Sequence, residues 1–386
     1  MRRTQAIISF DALRHNVQQI RQRLAPGVQI LAMVKANAYG HGLIPCTRFF
    51  RSLHIESVGV AYLEEALELR EAGDTQRIVV FTPPFPDQAP AFAEYQVDCI
   101  ISSETIFHAF GKYTLQTGKS IDAHLYIDTG MHREGVTPEE AERIVAQLHC
   151  YPQLRVVGLC THFATAEERD KTFTYHQLRR FTQLLHQFQA AGVHFPYVHA
   201  ANSAAIADIP ESHFTMVRAG IALYGYNPSP FLHHPLHLQP ALRLQTCISE
   251  IRHLPANEGV SYGLTYRSPH PTTIATLPIG YGDGWSRALS NKAACLIRGA
   301  RFPLVGAICM DETLVDLYGH RFPIGESVIL IGQSGTAQIT AEDLAQWAGT
   351  IPYEILASLN TRIPRIYVDS FTNDEVASLE QSVVSK

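Results

Sequence analysis

Residues 29–42 read QILAMVKANAYGHG, an apolar run that ends at Lys35 and gives way to small residues and glycines. Seven further short apolar runs follow along the chain, and segments with a helical apolar period lie between most of them. This alternation predicts parallel strands joined by helices, and eight such strands is the number in a closed (β/α)8 barrel of the TIM type. The eight runs cover residues 29–34, 57–61, 77–81, 97–101, 122–127, 155–160, 197–201 and 215–223.

The alternative α/β architecture is an open, doubly wound sheet. Such sheets usually carry a glycine-rich phosphate turn after the first strand, and no GxGxxG occurs in this sequence. The helix signals fit either fold: the clearest is Thr137-Pro138-Glu139-Glu140, where Thr137 can cap the helix and a glutamate can reach back to it. The sequence also predicts helices over residues 11–24, 63–72 and 171–191.

After about residue 240 the pattern changes to apolar runs separated by Gly/Pro turns, with few helices between them. We therefore predict two domains, an α/β barrel over residues 1–240 and a mainly-β domain over residues 241–386. One helix is expected inside the second domain at residues 341–348, capped by Thr340 with Asp343 three residues later. The expected strands lie within residues 241–251, 272–280, 293–299, 302–310 and 326–332.

Composition excludes several classes of function. The 386 residues are 46% apolar and 17% charged, with a net charge of −5 and no dense basic stripe, so we expect neither disorder nor nucleic-acid binding. A membrane-spanning helix needs about 20 consecutive, mostly apolar residues, and the sequence contains no such stretch. Seven cysteines without a CxxC spacing are typical of reduced thiols, which predicts a cytoplasmic protein, and we expect no metal site.

In a (β/α)8 barrel the chemistry lies at the C-terminal ends of the strands. A lysine, two arginines and a histidine occupy such positions, and together they indicate a polar active site more strongly than any one of them does alone. The candidate residues at these strand ends are Lys35, Thr82, Ser102, Arg133, His162, Asn202, Ser203 and Arg218.

Each candidate also has a simpler interpretation. Lys35, flanked by apolar and small residues, suits a desolvated amine that forms a Schiff base, but it could be a surface lysine. Arg218 lies beside Gly220, where a phosphate could approach the backbone, yet that glycine could merely permit a turn. Arg133 could bind a substrate carboxylate, or it could be a solvated arginine on a loop. His162, and the tyrosines of the second domain, could serve packing alone.

Nine motifs, in order and across nearly the whole chain, resemble the alanine racemase family. The resemblance implies a barrel that binds pyridoxal 5'-phosphate, a following β-domain and a homodimer with shared active sites. It also implies a small amino acid, alanine, as substrate and peptidoglycan synthesis as the use of its D-enantiomer. The motifs are VKANAYGHG, DTGMHREG, THFA, HAANS, MVRAGIALYG, VSYGLTY, IGYGDGW, ICMDE and IPYEIL.

The resemblance also implies a role for each matching residue. Lys35 would form the aldimine with the cofactor and act as one base, and Tyr262 of the partner subunit would act as the other, since racemisation needs a base on each face. Arg218 would face the pyridine nitrogen, with His162 linking it to Tyr262. The phosphate would be held by Tyr39, Ser203, Gly220, Ile221 and Tyr353 with Asn202 nearby, the substrate carboxylate by Arg133 and the partner's Met310, and the entrance narrowed by Tyr281 and Tyr353.

One position departs from the family pattern. Tyr126 stands where many members carry a lysine that becomes carbamylated and braces the arginine of the DTGM motif, so Arg133 needs another brace, such as a carboxylate or an anion. Three alternatives to alanine racemisation remain at this stage. They are a racemase for serine or for several amino acids, a related decarboxylase, against which Arg218 argues, and a non-catalytic cofactor-binding protein, which would lack the second domain.

Overall fold

The computed structural model describes residues 2–371, and eight parallel strands form a barrel in its N-terminal part. A first strand, β1 (Gln5–Ser9), precedes the barrel and lies outside it. Each of the eight predicted runs coincides with one barrel strand to within a few residues, so the predicted (β/α)8 barrel is confirmed. The barrel strands are β2 (Gln29–Met33), β3 (Ser57–Val60), β4 (Arg77–Val80), β5 (Cys99–Ile101), β6 (Ile121–Tyr126), β7 (Leu154–Cys160), β8 (Tyr197–His199) and β9 (Met216–Ala219).

The barrel closes between β4 and β5. The eight strands pair in the order β4-β3-β2-β9-β8-β7-β6-β5, and a parallel bridge from Val79 to Asp98 joins the two ends and completes the ring. At this seam the Asp98 N–H donates to the Ile78 carbonyl at 2.8 Å, and the Val80 N–H donates to the Asp98 carbonyl at 3.0 Å. Closure removes the exposed strand edges that an open sheet would leave.

Helices lie between most of the barrel strands, and the predicted helix starts are close to the observed ones. At the start of the helix Pro138–Ala146, the Glu140 N–H donates to the Thr137 hydroxyl at 3.2 Å while the Glu140 carboxylate accepts from the Thr137 N–H at 2.7 Å, the predicted cap. Across residues 2–371, no helix has both the length and the apolar character needed to cross a membrane. The helices up to residue 208 are α1 (Phe10–Arg21), α2 (Lys35–Tyr39), α3 (Leu43–Ser52), α4 (Leu63–Glu71), α5 (Ala89–Tyr95), α6 (Glu104–Thr117), α7 (Pro138–Ala146), α8 (Thr172–Ala190) and α9 (Ser203–Asp208).

The C-terminal region is rich in β-structure, as predicted, and the predicted helix is observed as α10 (Ala341–Ala348), followed by α11 (Pro352–Ser358). Residues 372–386 of the predicted second domain lie outside the described residues. The strands of this region are β10 (Leu242–Cys247), β11 (Glu250–Leu254), β12 (Gly259–Val260), β13 (Tyr266–Arg267), β14 (Thr272–Leu277), β15 (Ala294–Ile297), β16 (Ala300–Pro303), β17 (Thr313–Asp316), β18 (Ser327–Ser334), β19 (Ala337–Ile339) and β20 (Arg365–Val368).

Two of the predicted β-runs are corrected by the structure. The run at residues 241–251 is two strands in different sheets, β10 and β11. The run at residues 302–310 is a strand only up to Pro303, because Gly306 has φ +72 and its backbone packs so closely on Val260 that a Cβ would lie 2.8 Å from the Val260 carbonyl oxygen. Met310 therefore lies on a loop rather than on a strand.

Strand β1 joins the N-terminus to the C-terminal region, a pairing that the sequence did not reveal. It pairs antiparallel with β10 and parallel with β20 in a seven-stranded sheet. Its partners are more than 230 residues away in sequence, so no local pattern marks them. Ser9 ends the strand and its side chain accepts from the Ala12 N–H at 3.2 Å, which starts α1 without an intervening turn. The predicted boundary at residues 240/241 stays a prediction.

Candidate active site

One cavity opens where the barrel strands end. Its volume is about 360 Å³, in the range of small-molecule sites. Most of the residues that the sequence analysis assigned to an active site line this single cavity, although they come from five different barrel strands or the segments that follow them, and one comes from α11. Ten of the twelve residues with a predicted catalytic, cofactor-binding or substrate-binding role lie in its wall: Lys35, Tyr39, Arg133, His162, Asn202, Ser203, Arg218, Gly220, Ile221 and Tyr353.

The other two predicted residues are elsewhere in the chain. Tyr262 and Met310 do not line the cavity, and both side chains are largely solvent-exposed, at 73% and 53%. Tyr281, predicted at the entrance, is also exposed. Of the strand-end candidates, Thr82 and Ser102 do not contribute to the cavity wall. One chain therefore assembles the barrel part of the predicted site and leaves the rest on its surface.

Lys35 opens a left-handed helical turn, α2. Residues from Ala36 to Tyr39 have φ between 52° and 55°, a conformation that costs roughly 1–2 kcal/mol for each L-residue. The turn must therefore be held by its surroundings. The Ala36 N–H donates to one carboxylate oxygen of Glu65 at 2.6 Å, and the other oxygen accepts from the Ala61 N–H at 2.8 Å, which ties the turn to the end of the neighbouring strand.

The environment of Lys35 favours a neutral amine. The side chain lines the cavity and is accessible to solvent there, but the surrounding protein partly desolvates the amine, and this desolvation, with the nearby charges of Arg133 and Arg218, lowers the pKa of Lys35. Glu65 and Glu134 act in the opposite direction more weakly than burial does. Among the described residues Lys35 forms no ion pair that would hold it protonated. A neutral lysine amine in a cavity is a nucleophile and a base.

Arg218 is fixed by five protein acceptors. One terminal nitrogen donates to the Nδ1 atom and the carbonyl of His199, both at 2.9 Å. The other donates to the carbonyls of Thr161 and Ala200 at 2.7 and 3.0 Å and to Nδ1 of His162 at 2.9 Å. The Nε–H donates to no acceptor within residues 2–371, and Arg218 lines the cavity, so one donor is left for a ligand.

His162 has a defined proton position because of Arg218. A guanidinium only donates, so Nδ1 of His162 must accept, and its proton is therefore on Nε2. Burial, together with the charge of Arg218, holds the pKa of His162 well below its ordinary value. The histidine is thus a neutral ring that presents an N–H donor away from the arginine.

A cluster of backbone and hydroxyl donors lies beside Arg218. The Ser203 hydroxyl oxygen accepts from the N–H groups of Gly220 and Ala222 at 3.0 and 3.4 Å. In the part of the chain that is described, the N–H groups of Ser203 and Ile221 have no protein acceptor. A Cβ on Gly220 would lie only 2.8 Å from the Tyr39 hydroxyl, so the glycine keeps this space open. Such a donor set fits a phosphate.

Asn202 has a structural role next to this cluster. Its side-chain oxygen accepts from the Ala204 and Ala205 N–H groups at 3.1 and 3.0 Å and so caps α9.

The ring of Tyr39 stacks on Tyr224 at 4.9 Å and is tilted against Tyr353 at 6.1 Å, which holds its hydroxyl toward Gly220. With the Arg218 Nε–H as a donor for a ring nitrogen and Lys35 as an amine, the cavity fits pyridoxal phosphate.

The structure gives Arg133 a weak brace. The nearest carboxylate is that of Glu134, whose oxygen lies 3.8 Å from Arg133 Nε, beyond hydrogen-bond distance. Tyr126 is buried in the cavity wall, and this burial raises the pKa of its phenol to about 12, so it remains a neutral hydroxyl. The Arg133 side chain is about half exposed, which leaves its guanidinium accessible to a substrate carboxylate.

Sequence reasoning missed three contributors to the site. Phe81 ends the third apolar run and lines the cavity in place of the neighbouring Thr82. Glu134 also lines it, although the sequence indicated only the adjacent arginine. Glu65 holds the Lys35 turn from a helix almost thirty residues away, and its capping position at the start of α4 was the only available signal.

The barrel, its cavity and the β-rich region together define the class of the protein, a (β/α)8-barrel protein with a following β-rich region and a small-molecule cavity whose lining fits pyridoxal phosphate. The model for "Alanine racemase, N-terminal domain" matches residues 8–228, and that for "Alanine racemase, C-terminal domain" matches residues 241–367. The chain belongs to the alanine racemase family.

Individual relatives support this membership over nearly the full length. Alanine racemase of Methanococcus maripaludis is 38% identical over 94% of this chain and 98% of its own length. Among solved structures, alanine racemase of Streptomyces coelicolor has a TM-score of 0.90 at 37% identity, covering 95% of this chain and 98% of its own. The Bacillus anthracis alanine racemase with bound L-Ala-P has a TM-score of 0.90 at 36% identity, with 95% of each chain covered.

Proposed function

We propose that this chain interconverts L-alanine and D-alanine with pyridoxal 5'-phosphate bound in the barrel cavity, and so supplies D-alanine for peptidoglycan. The observation that carries the proposal is the pairing of Lys35, an enclosed amine without an ion pair among the described residues, with Arg218, whose terminal nitrogens are both bound by protein acceptors. The first supplies a nucleophile and base, and the second supplies a single fixed donor.

The residues that would hold the cofactor follow from the donors described above. Tyr39, Ser203, Gly220, Ile221 and Tyr353 would hold its phosphate, Arg218 would face its ring nitrogen, and Lys35 would bind it covalently. When bound, the cofactor supplies an electron-accepting ring that stabilises negative charge at the substrate α-carbon. Arg218 cannot protonate the ring nitrogen, because a guanidinium stays protonated in proteins.

Racemisation removes the α-proton from one face of the substrate and returns a proton to the other, which requires two bases. Lys35 is the base that this chain provides from within its own cavity. Tyr262 of a second copy is the proposed base on the opposite face, which agrees with its exposure on the surface of this chain. The Nε2–H of His162 is then the donor that can connect Arg218 with that tyrosine.

The substrate carboxylate is proposed to bind Arg133, helped by Met310 of the second copy. This arrangement makes the active protein a homodimer in which each site draws on both chains. The exposure of Met310 and Tyr281, large side chains on loops of the C-terminal region, supports such an interface. We further propose a cytoplasmic location, supported by seven cysteines that form no disulfide and of which five are buried.

Racemisation of L-alanine by the purified protein with added pyridoxal phosphate tests the proposal, with L-serine measured alongside. We expect fast formation of D-alanine and slow turnover of serine. Faster turnover of serine would move the activity to another amino acid. A protein that binds the cofactor but turns over neither amino acid would contradict the racemase assignment.

A further inference from the structure

A chain of buried hydrogen bonds runs from Arg218 through the barrel interior toward the opposite end of the strands. Arg218 contacts Nδ1 of His199 at 2.9 Å, Nε2 of His199 contacts Nδ1 of His124 at 2.8 Å, and Nε2 of His124 contacts a carboxylate oxygen of Asp98 at 3.2 Å. Both histidines are fully buried, and Asp98 is 5% exposed. We call these four residues the histidine chain.

The proton positions in the histidine chain follow from its two ends. Arg218 only donates, so Nδ1 of His199 must accept and its proton is on Nε2. That N–H donates to Nδ1 of His124, which places the second proton on Nε2 of His124, where a carboxylate oxygen of Asp98 accepts it. Every hydrogen bond thus points from Arg218 to Asp98. The reverse order would set an N–H of His199 against the guanidinium.

We propose that Asp98 is a positioning residue for Arg218, acting through His124 and His199 to keep an acceptor lone pair against the guanidinium. The inference rests on the proposed role of Arg218 beside the cofactor ring. Without the carboxylate, the Nε2–H of His124 is buried and unsatisfied, which favours the other tautomer and passes a donor along to Arg218. Arg218 then loses one of the five acceptors that aim its Nε–H into the cavity.

The barrel is built around the histidine chain. A Cβ on Gly158 of β7 would lie 1.9 Å from Nδ1 of His124, so only glycine leaves room for the ring. The register between β6 and β7 shifts at the same point, between Ala123 and His124. The ring of Tyr197 stacks on His124 at 5.9 Å, and Phe81 meets His199 edge-on at 6.0 Å. Within residues 2–371, the ring nitrogens of His124 and His199 have no other polar partner.

Asp98 lies at the barrel seam beside an arginine. Its carboxylate pairs closely with Arg77, which also lies 3.2 Å from Asp122, and Asp122 in turn accepts from Arg155 at 2.6 Å. Asp122 is therefore a matched control, because it shares Arg77 with Asp98 and lies at the same end of the barrel. Among the contacts of the described residues, Asp122 makes none with His124.

The test compares Asp98→Ala, Asp98→Asn and Asp122→Ala holoenzymes labelled with 15N at the histidine rings. In the wild type we expect Nε2 of both His124 and His199 to carry the proton. In Asp98→Ala we expect mixed tautomers at both rings and a roughly tenfold lower kcat/KM for alanine, the effect of losing one hydrogen bond from the charged guanidinium in part of the molecules. Asp98→Asn keeps an acceptor oxygen, so it should retain the wild-type tautomers and most of the activity.

Several results would overturn the proposal. One is a wild-type His199 with its proton on Nδ1, another is an Asp98→Ala variant with unchanged tautomers, and a third is an Asp122→Ala variant that alters the rings as much as Asp98→Ala does. The ring spectra do not depend on turnover. If the wild type failed to racemise alanine, the proposed function would fall while the spectra still decided the role of Asp98.

Discussion

The barrel and the C-terminal region contribute to the candidate site in different ways. The barrel brings nine predicted residues together in its own cavity, whereas the C-terminal region divides its contribution. Tyr353 on α11 reaches the cavity of the same chain, but Tyr262 and Met310 remain exposed on other loops. Residues of the same C-terminal region therefore do not all reach the same cavity. The segment that contains α11 contributes directly to the barrel cavity of its own chain, whereas the loops that carry Tyr262 and Met310 do not.

The local structure explains this division. Helix α11 is packed against the Lys35 turn: the position of a Cβ on Gly40 would be 2.1 Å from the Leu356 carbonyl oxygen, and Arg365 donates to the Gly40 carbonyl at 3.0 Å. Tyr262 instead follows Ser261, a residue with φ +63 whose hydroxyl donates to the Ala307 carbonyl at 2.6 Å. The tyrosine is thus exposed on a turn that is itself well held.

The largest effect is expected from Lys35→Ala, which tests the barrel side of the comparison. The variant loses both the covalent attachment point and one base, so we expect racemisation to fall by at least about a thousandfold. The visible absorbance of the covalently bound cofactor should disappear. An unchanged spectrum in the folded variant would contradict the assignment of Lys35.

Tyr262→Phe tests the other side, and we expect abstraction of the α-proton from L-alanine, measured as exchange with solvent deuterium, to slow by about a hundredfold or more, while abstraction from D-alanine slows far less. Mixing Lys35→Ala and Tyr262→Phe chains sharpens the test. If each site takes Lys35 from one chain and Tyr262 from another, a mixed dimer contains one intact site. Random reassortment makes half of the dimers mixed, so about a quarter of the wild-type activity should return.

The two variants, purified separately as dimers and assayed together before their subunits have exchanged, serve as the control. Activity should stay absent there and appear only after subunits reassort. If the reassorted sample remained inactive, Tyr262 would act within its own chain and the two regions would not be divided as described.

Gly40→Ala tests the contact that joins α11 to the Lys35 turn. The new methyl group would clash with the Leu356 carbonyl, and the alanine would also have to adopt φ +80. We therefore expect a loss of about 3 kcal/mol in stability and weaker cofactor binding. Gly73→Ala is the matched control, with φ +82 and nothing within 4 Å of its Cβ, and should cost about 1 kcal/mol. Equal melting temperatures for the two variants would contradict a packing role for Gly40.

Local pattern was sufficient to predict the eight barrel strands, because each is a short apolar run bounded by turns. It was not sufficient for β1, whose partners are distant in sequence. The left-handed turn after Lys35 is a second case, since KANAY contains good helix formers and its handedness is set by tertiary contacts such as that of Glu65.

The site shows the same limit at the level of single residues. The sequence indicated Lys35, Arg133 and Arg218 because charged residues at strand ends are informative in a barrel. His199 and Asp98 lie inside the barrel wall, where the sequence gives no comparable indication of function. A buried histidine within an apolar strand usually serves packing. Only the geometry of their ring nitrogens connects them with Arg218.

The smallest effect is expected from changing the charged residues beside Lys35. These variants test whether charges in the cavity of the same chain set the pKa of the lysine. Arg133 lowers the pKa of Lys35, so Arg133→Gln should raise it, and a smaller fraction of the amine is then neutral near pH 7. Covalent uptake of pyridoxal phosphate by the apoprotein should slow by roughly two- to fivefold at that pH and approach the wild-type rate at alkaline pH.

Glu134→Gln provides the opposite sign, because the Glu134 carboxylate raises the pKa of Lys35 and its removal should lower that pKa. Uptake near neutral pH should then become faster than in the wild type, with the midpoint of the rate profile at lower pH. The two variants differ by one position on the same loop, so a general disturbance of the loop would move both profiles the same way. Opposite displacements are expected only if Lys35 responds to the charges beside it within its own chain.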